Sequence, residues 1–185
     1  MEIQKFTNKY YEQLKIDHLA FLNKNSIVSF DEILSYLKQH TNPQKSSTLI
    51  QNEIKEIFNY KWPGKYSGDF CDKNKTIELK MTWQNKTTYL RLAQIRQEDS
   101  IDEYMLLKVF DDNSFNVYMV PSKIICNICA DNPTAYSHRD KKELSIDISE
   151  KNMIKYNLNE YIDAKIEQKI SKHNFKKLIN KLLIK

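Results

Sequence analysis

The stretch from Gly68 to Met81 constrains this chain more tightly than any other. Phe70, Ile77, Leu79 and Met81 alternate with polar or charged neighbours, and Asp72-Lys73-Asn74-Lys75 separates the two halves. Period-two alternation on either side of a short polar turn predicts a β-hairpin. The first strand is expected at 66–71, the turn at 72–75 and the second strand from Thr76 to Met81. A two-residue loop at Lys73-Asn74 pairs 72 with 75, 71 with 76, 70 with 77 and 69 with 78. Asp69 then lies opposite Glu78, with Cβ atoms roughly 4.5–5.5 Å apart. Side chains alternate along a strand, so Glu78 and Lys80 share the face of Asp69. Phe70, Ile77, Leu79 and Met81 take the other face, which reads as core.

Two facing carboxylates repel one another unless something positive sits between them. Mg²⁺ suits that position, because it takes one or two carboxylates together with phosphate and water oxygens. A lysine beside the ion orients water or helps to deprotonate it, so the group fits metal-assisted phosphodiester hydrolysis. Glu-x-Lys on an exposed strand also occurs as a plain salt-bridged surface. From the triplet alone both readings stay open.

A length of 185 residues fits one domain, or a domain with a small appendage. With 41% hydrophobic residues the chain can bury a real core, and no apolar run approaches the ~18 residues of a membrane span. The polar N-terminus Met1-Glu2-Ile3-Gln4-Lys5 shows no signal peptide. Three cysteines give no disulfide framework, so a cytoplasmic location is expected. Two glycines argue against a glycine-rich phosphate loop. The net charge of +5 is uneven: residues 165–185 hold seven lysines against Glu167, a local +6 that leaves −1 elsewhere. A basic tail on a near-neutral body fits a polyanion such as nucleic acid. A lysine-rich solvated helix face has the same composition.

Along the chain, residues 2–24 read as a helix with Phe6, Tyr10, Leu14, Leu19 and Leu22 on one stripe. Ser29-Phe30-Asp31-Glu32 is a capping box opening a helix to about His40, with Ile33, Leu34 and Leu37 buried. Residues 41–47 read as a loop, and a third helix is expected from Thr48 to about Asn59. Glu53 falls at the edge of its buried face and Glu56 on the wetter side. The second and third helices also admit a helix-turn-helix reading, with Thr48 to Lys55 as recognition helix, although that segment lacks a basic face. Thr88 to Gln97 reads as a short helix or irregular segment crowded with Arg91, Gln94 and Arg96. Strands are expected at 103–110 and 115–120, with a helix from Lys123 to Ala130 capped by Ser122. Cys126-Asn127-Ile128-Cys129 has metal-ligand spacing, and His138 follows. A zinc site needs four ligands and no second Cys-x-x-Cys exists, so the pair reads as small buried hydrophobes. Residues 131–139 form a polar loop and 144–148 a half-buried strand. Met153 to Leu158 reads as a linker or short turn, and the chain is helical from Asn159 onward. The parts are an N-terminal helical segment (1–60), a core (61–150, with its hairpin at 66–82) and a basic C-terminal helical segment (151–185), in one compact domain.

Gly68-Asp69, Ile77-Glu78-Leu79-Lys80, Leu90-Arg91-Leu92-Ala93-Gln94-Ile95-Arg96 and an apolar hairpin ending at Pro121 follow in that order. Over about residues 48–148 this resembles the PD-(D/E)XK nuclease superfamily, and within it small type II restriction endonucleases. The resemblance implies an α/β (α+β) fold with a central mixed sheet of about four to five strands flanked by helices. It also implies Mg²⁺-dependent, sequence-specific cleavage of double-stranded DNA by a homodimer. Asp69 and Glu78 match the acidic metal ligands, with the Leu79 carbonyl completing the site. Lys80 matches the catalytic lysine, and Glu53 the helix glutamate that supports the metal. The proline that usually precedes the first acid is Gly68 here. Arg91, Gln94, Arg96, Tyr136, His138 and Arg139 are expected at DNA, as are Lys172 and Lys176 of the tail. Two other functions fit the same residues: a structure-specific repair or junction nuclease, and a non-enzymatic helix-turn-helix module with the hairpin as its wing.

Overall fold

The computed structural model describes residues 2–64, 68–83, 89–95, 100–132, 136–138 and 143–183. The helices are α1 (Glu2–Lys24), α2 (Phe30–His40), α3 (Pro43–Phe58), α4 (Ser122–Asp131), α5 (Glu150–Lys155), α6 (Ala164–Ser171) and α7 (Lys176–Leu183). The strands are β1 (Phe70–Asp72), β2 (Lys75–Trp83), β3 (Leu90–Ile95), β4 (Glu103–Val109), β5 (Phe115–Pro121), β6 (Tyr136–His138) and β7 (Glu143–Ile148). Four strands make a central sheet in the order β1-β2-β4-β5, with β2 parallel to β4 and the other pairs antiparallel. The fold is therefore α+β around a mixed sheet. A second, three-stranded sheet has the order β3-β7-β6.

Strand β4 reads Glu-Tyr-Met-Leu-Leu-Lys-Val because it is buried on both faces, which removes the usual polar alternation. Met105, Leu107 and Val109 join Phe70, Ile77 and Leu79 of the hairpin in a first core under α1, α2, α3, α6 and α7. Tyr104 and Leu106 face the other way. They meet Leu90 and Leu92 of β3, Ile146 and Ile148 of β7, and Ile125 of α4. The molecule is layered as helices, central sheet, then a small sheet with its helix. The first core draws on the N-terminal, central and C-terminal parts together, from Val28 through Met105 to Ile179.

Several expectations need correction. Helix α3 begins at Pro43, not Thr48. The Asn42 side chain accepts the Lys45 N–H at 2.8 Å, and Pro43 takes the first helical position, where a missing N–H costs nothing. Within the segment read as a short helix or irregular stretch, Leu90–Ile95 is strand β3, since pairing with β7 overrides the helical preference of Leu-Arg-Leu-Ala. Residues 136–138, read as loop, form edge strand β6. Helix α5 occupies part of the expected linker, with Ser149 accepting the Asn152 N–H. Pro121, not Ser122, caps α4. The C-terminal helix is interrupted: a one-turn 3-10 helix (Leu158–Tyr161) precedes α6, and α6 and α7 are separate. At the second break the Asn174 side chain accepts the N–H groups of Val28 and Lys176, and the Phe175 N–H donates to the Val28 carbonyl. That exchange stitches the C-terminal segment to the start of α2.

Gly68 has a local reason. Its φ is +104°, and a Cβ there would lie 3.1 Å from the Ile77 carbonyl oxygen. Neither proline nor alanine fits that backbone without strain. Gly68→Ala is expected to cost about 1–2 kcal/mol. A lower urea midpoint with an unchanged slope would register this, and an unchanged midpoint would refute it.

Candidate active site

The hairpin register is the expected one: Phe70 pairs with Ile77, Cys71 with Thr76 and Asp72 with Lys75. The first strand is shorter than expected, however, because the turn at Gly68 takes Asp69 out of the ladder. The Asp69 N–H donates to the Ile77 carbonyl at 2.8 Å, so the backbone no longer runs alongside Glu78. The side chain takes over at the sheet edge, where the Leu79 N–H donates to Asp69 Oδ2 at 2.8 Å. In an extended strand the N–H and C=O of one residue point to the same side. The Leu79 carbonyl therefore lies along the edge that holds Asp69.

Glu78, Lys80 and Thr82 line the β2 face turned away from the first core. Lys80 Nζ donates to Glu78 Oε1 at 2.7 Å and to the Gln94 carbonyl at 3.2 Å. Gln94 reaches that position through a β-bulge. The β3–β7 register shifts between Leu92 and Ile95, and Gln94 has a φ of +57°. Bulges re-aim backbone groups in this way beside functional sites. One residue pair along, the Thr82 hydroxyl donates to the Arg91 carbonyl at 2.6 Å and accepts the Arg91 N–H at 3.2 Å. Strand β3 is thus held against the polar face of β2.

On the other side of Asp69, Gln51 of α3 donates its side-chain amide to Asp69 Oδ1 at 2.5 Å. Burial and the neighbouring Glu78 carboxylate push the Asp69 pKa up to about 6, against the Leu79 and Gln51 hydrogen bonds that pull it down. The native state thus holds a proton more tightly than the unfolded chain between pH 3.8 and about 6. Ionising Asp69 therefore costs stability at neutral pH. All the available ligands are oxygens: two carboxylates and the Leu79 carbonyl. That set suits Mg²⁺, and a divalent ion relieves the repulsion that raises Asp69. Among the described residues, no three His, Cys, Asp or Glu side chains cluster as a metal-binding group, so any ion here would keep several water or substrate oxygens.

The structure brings Asp69, Glu78, Leu79, Lys80, Arg91 and Gln94 together. It places Glu53 elsewhere. Glu53 is 1% exposed, with Lys181 Nζ at 2.8 Å and His173 at 3.5 Å. It lines a separate cleft between α3 and α7. Residues 51 and 53 differ by about 200° around a helix, and it is Gln51 that faces the carboxylates. Lys172 is exposed at the end of α6 and Lys176 half-buried at the start of α7, and neither lines the cleft beside Lys80. Arg96 and Arg139 lie outside the described residues, and of Tyr136 and His138 only the strand pairing is described. The Cys-x-x-Cys pair lies on α4, with Cys129 buried in the second core and its thiol pushed up to about 11 by burial.

Sequence reasoning missed Gln51, Thr82 and the Gln94 carbonyl. One signal was present: Gln44, Ser47, Thr48 and Gln51 recur at i, i+3, i+4 and i+7, a polar ridge along one side of α3. No described helix is long and apolar enough to cross a membrane. A scan of protein-family models finds none that matches this chain, and a search of curated proteins finds no relative.

Proposed function

We propose that this chain is a divalent-metal-dependent endonuclease that hydrolyses phosphodiester bonds of DNA. The observation that carries the reading is the Asp69–Glu78–Lys80 group, with Asp69 held at the sheet edge by the Leu79 N–H and Glu78 paired with Lys80 on the adjoining polar face of β2. Asp69, Glu78 and the Leu79 carbonyl would hold Mg²⁺. The bound ion supplies Lewis acidity at the phosphate and a more acidic water. Gln51 and the Leu79 N–H fix the Asp69 carboxylate. Glu78 and the bulged Gln94 carbonyl aim the Lys80 ammonium, which steadies negative charge developing on the phosphate. The finer form of the proposal is sequence-specific cutting of double-stranded DNA by a homodimer, and it is supported by the sequence resemblance alone. The helix-turn-helix alternative loses support because Gln51, on the would-be recognition helix, is bonded to Asp69.

Incubation of unmethylated phage DNA, both duplex and heat-denatured, with the protein is expected to give cleavage of at least one form in Mg²⁺ or Mn²⁺. In Ca²⁺ the DNA should be bound without turnover, because the larger ion fits oxygen ligands in looser geometry. Discrete bands would support the restriction form. Full activity in chelator would end the metal-nuclease reading.

A further inference from the structure

Beside the carboxylates, a cleft of about 580 Å³ runs between α3 and the polar strip of β2 and β3. Gln51 and Lys80, which hold Asp69 and Glu78, both line it. Its two walls differ in chemistry. The sheet side carries the cations: Lys80, and Arg91, which also reaches Asp147 at 3.6 Å. The α3 side carries Gln44, Ser47 and Thr48, all neutral. Ser47 donates its hydroxyl proton to the Pro43 carbonyl at 3.0 Å and Thr48 to the Gln44 carbonyl at 3.0 Å. Once those protons are committed to the helix, the two oxygens offer only lone pairs to the cleft. A phosphate has no proton to give them. A base edge does, through its amino and imino N–H groups. Trp83 adds an aromatic surface at the end of β2, with Lys38 Nζ 5.8 Å from its ring centre.

We propose that this cleft seats an unpaired DNA strand, with phosphates toward Lys80 and Arg91 and base edges toward the neutral ridge of α3. The proposal rests on the nuclease reading of the adjoining carboxylates and names the form of substrate they meet. A cleft of this volume is in the range that encloses a small ligand, ~300–1,000 Å³. In a duplex the imino N–H groups and one N–H of each amino group are held in Watson–Crick pairs, leaving only the outer amino N–H in a groove, so the Ser47 and Thr48 oxygens meet the full donor edge only of an unpaired base. Aromatic stacking on Trp83 needs an exposed base face for the same reason. Cutting at a single-stranded end, flap or junction follows more directly from these walls than cutting within an intact duplex.

Binding is measured by fluorescence anisotropy in Ca²⁺ with three labelled DNA probes: a single strand, its blunt duplex, and that duplex with a single-stranded tail. The single strand and the tailed duplex are expected to bind at least about tenfold tighter than the blunt duplex, the scale of one stacked base. The double substitution Ser47→Ala with Thr48→Val should weaken single-strand binding several-fold and leave the blunt duplex unchanged. Trp83→Ala should cost about tenfold or more on the single strand. Because Trp83 also packs on the core, the α3 double variant at its two hydroxyls is the decisive one. Tighter binding of the blunt duplex, or equal weakening of all probes by the α3 variant, would overturn the proposal and leave the nuclease reading standing. Absence of cleavage of any probe in Mg²⁺, with the single-strand preference intact, would sink the nuclease reading alone.

Discussion

Lys80→Ala is expected to lower the cleavage rate by at least ~10²-fold, the scale of removing a positioned acid–base or electrostatic group. Lys80 is held from two sides, by Glu78 Oε1 and by the Gln94 carbonyl, so its ammonium is aimed before substrate arrives. Its side chain lies at the edge of a cleft and belongs to neither hydrophobic core. The fold should persist with some loss of stability, because the Lys80 side chain is 14% exposed and its removal leaves Glu78 and Asp69 unopposed, and Mg²⁺ binding should persist because both carboxylates remain. Single-turnover kinetics at saturating metal, with circular dichroism on the same sample, separate loss of chemistry from loss of fold. Asp69→Ala should instead abolish metal binding, since Asp69 is the carboxylate that α3 and the Leu79 N–H position. Asp72→Ala, at the exposed turn, should be nearly silent. If Asp72→Ala proves as damaging as Asp69→Ala, the assignment of the site to Asp69 fails.

Lys108→Met is expected to stabilise the protein by about 2–3 kcal/mol at pH 7. Lys108 lies on β4 beside Thr82, on the polar-strip side of the sheet, and is 0% exposed. Among the described residues its Nζ has no hydrogen-bond partner; it sits over the rings of Tyr89 and Phe110, the latter at 4.4 Å, and the Glu150 carboxylate acts on it only at long range against the burial. The two rings offset part of the desolvation cost but supply no counter-charge. Burial accordingly lowers the Lys108 pKa from 10.5 to about 8. The sign is opposite to that of an ion-paired lysine. Between about pH 8 and 10.5 the unfolded chain binds the extra proton, so wild-type stability rises with pH across that window. Below pH 8 the full penalty applies. The gain from methionine should therefore be constant from pH 6 to 7.5 and shrink toward zero by about pH 10.5, as read from urea unfolding. A flat difference across the whole range would show that desolvation of the charge is not its cause.

The sequence by itself determined the features that depend on near neighbours. Alternation at Phe70, Ile77, Leu79 and Met81 dictates which hairpin face is buried, because a one-residue slip would turn every apolar side chain to solvent. The Ser29–Glu32 pair marks the start of α2, where the Glu32 carboxylate accepts from the Ser29 N–H at 2.8 Å. The apolar runs at 103–110 and 115–120 reveal two adjacent buried strands. What the tertiary structure alone decided depends on partners far apart in the chain. Leu90–Ile95 is a strand because β7, some fifty residues later, offers it a ladder. Gln94 supplies a carbonyl to Lys80 because that ladder bulges between Leu92 and Ile95. Gln51, not the expected Glu53, meets the carboxylates because the C-terminal segment brings Lys181 and His173 to one side of α3, and the hairpin brings Asp69 to the other. Periodicity shows that a helix has two faces, but packing decides which face meets the chemistry. Such pairings are set by long-range burial and charge, and no window of neighbouring residues contains both partners.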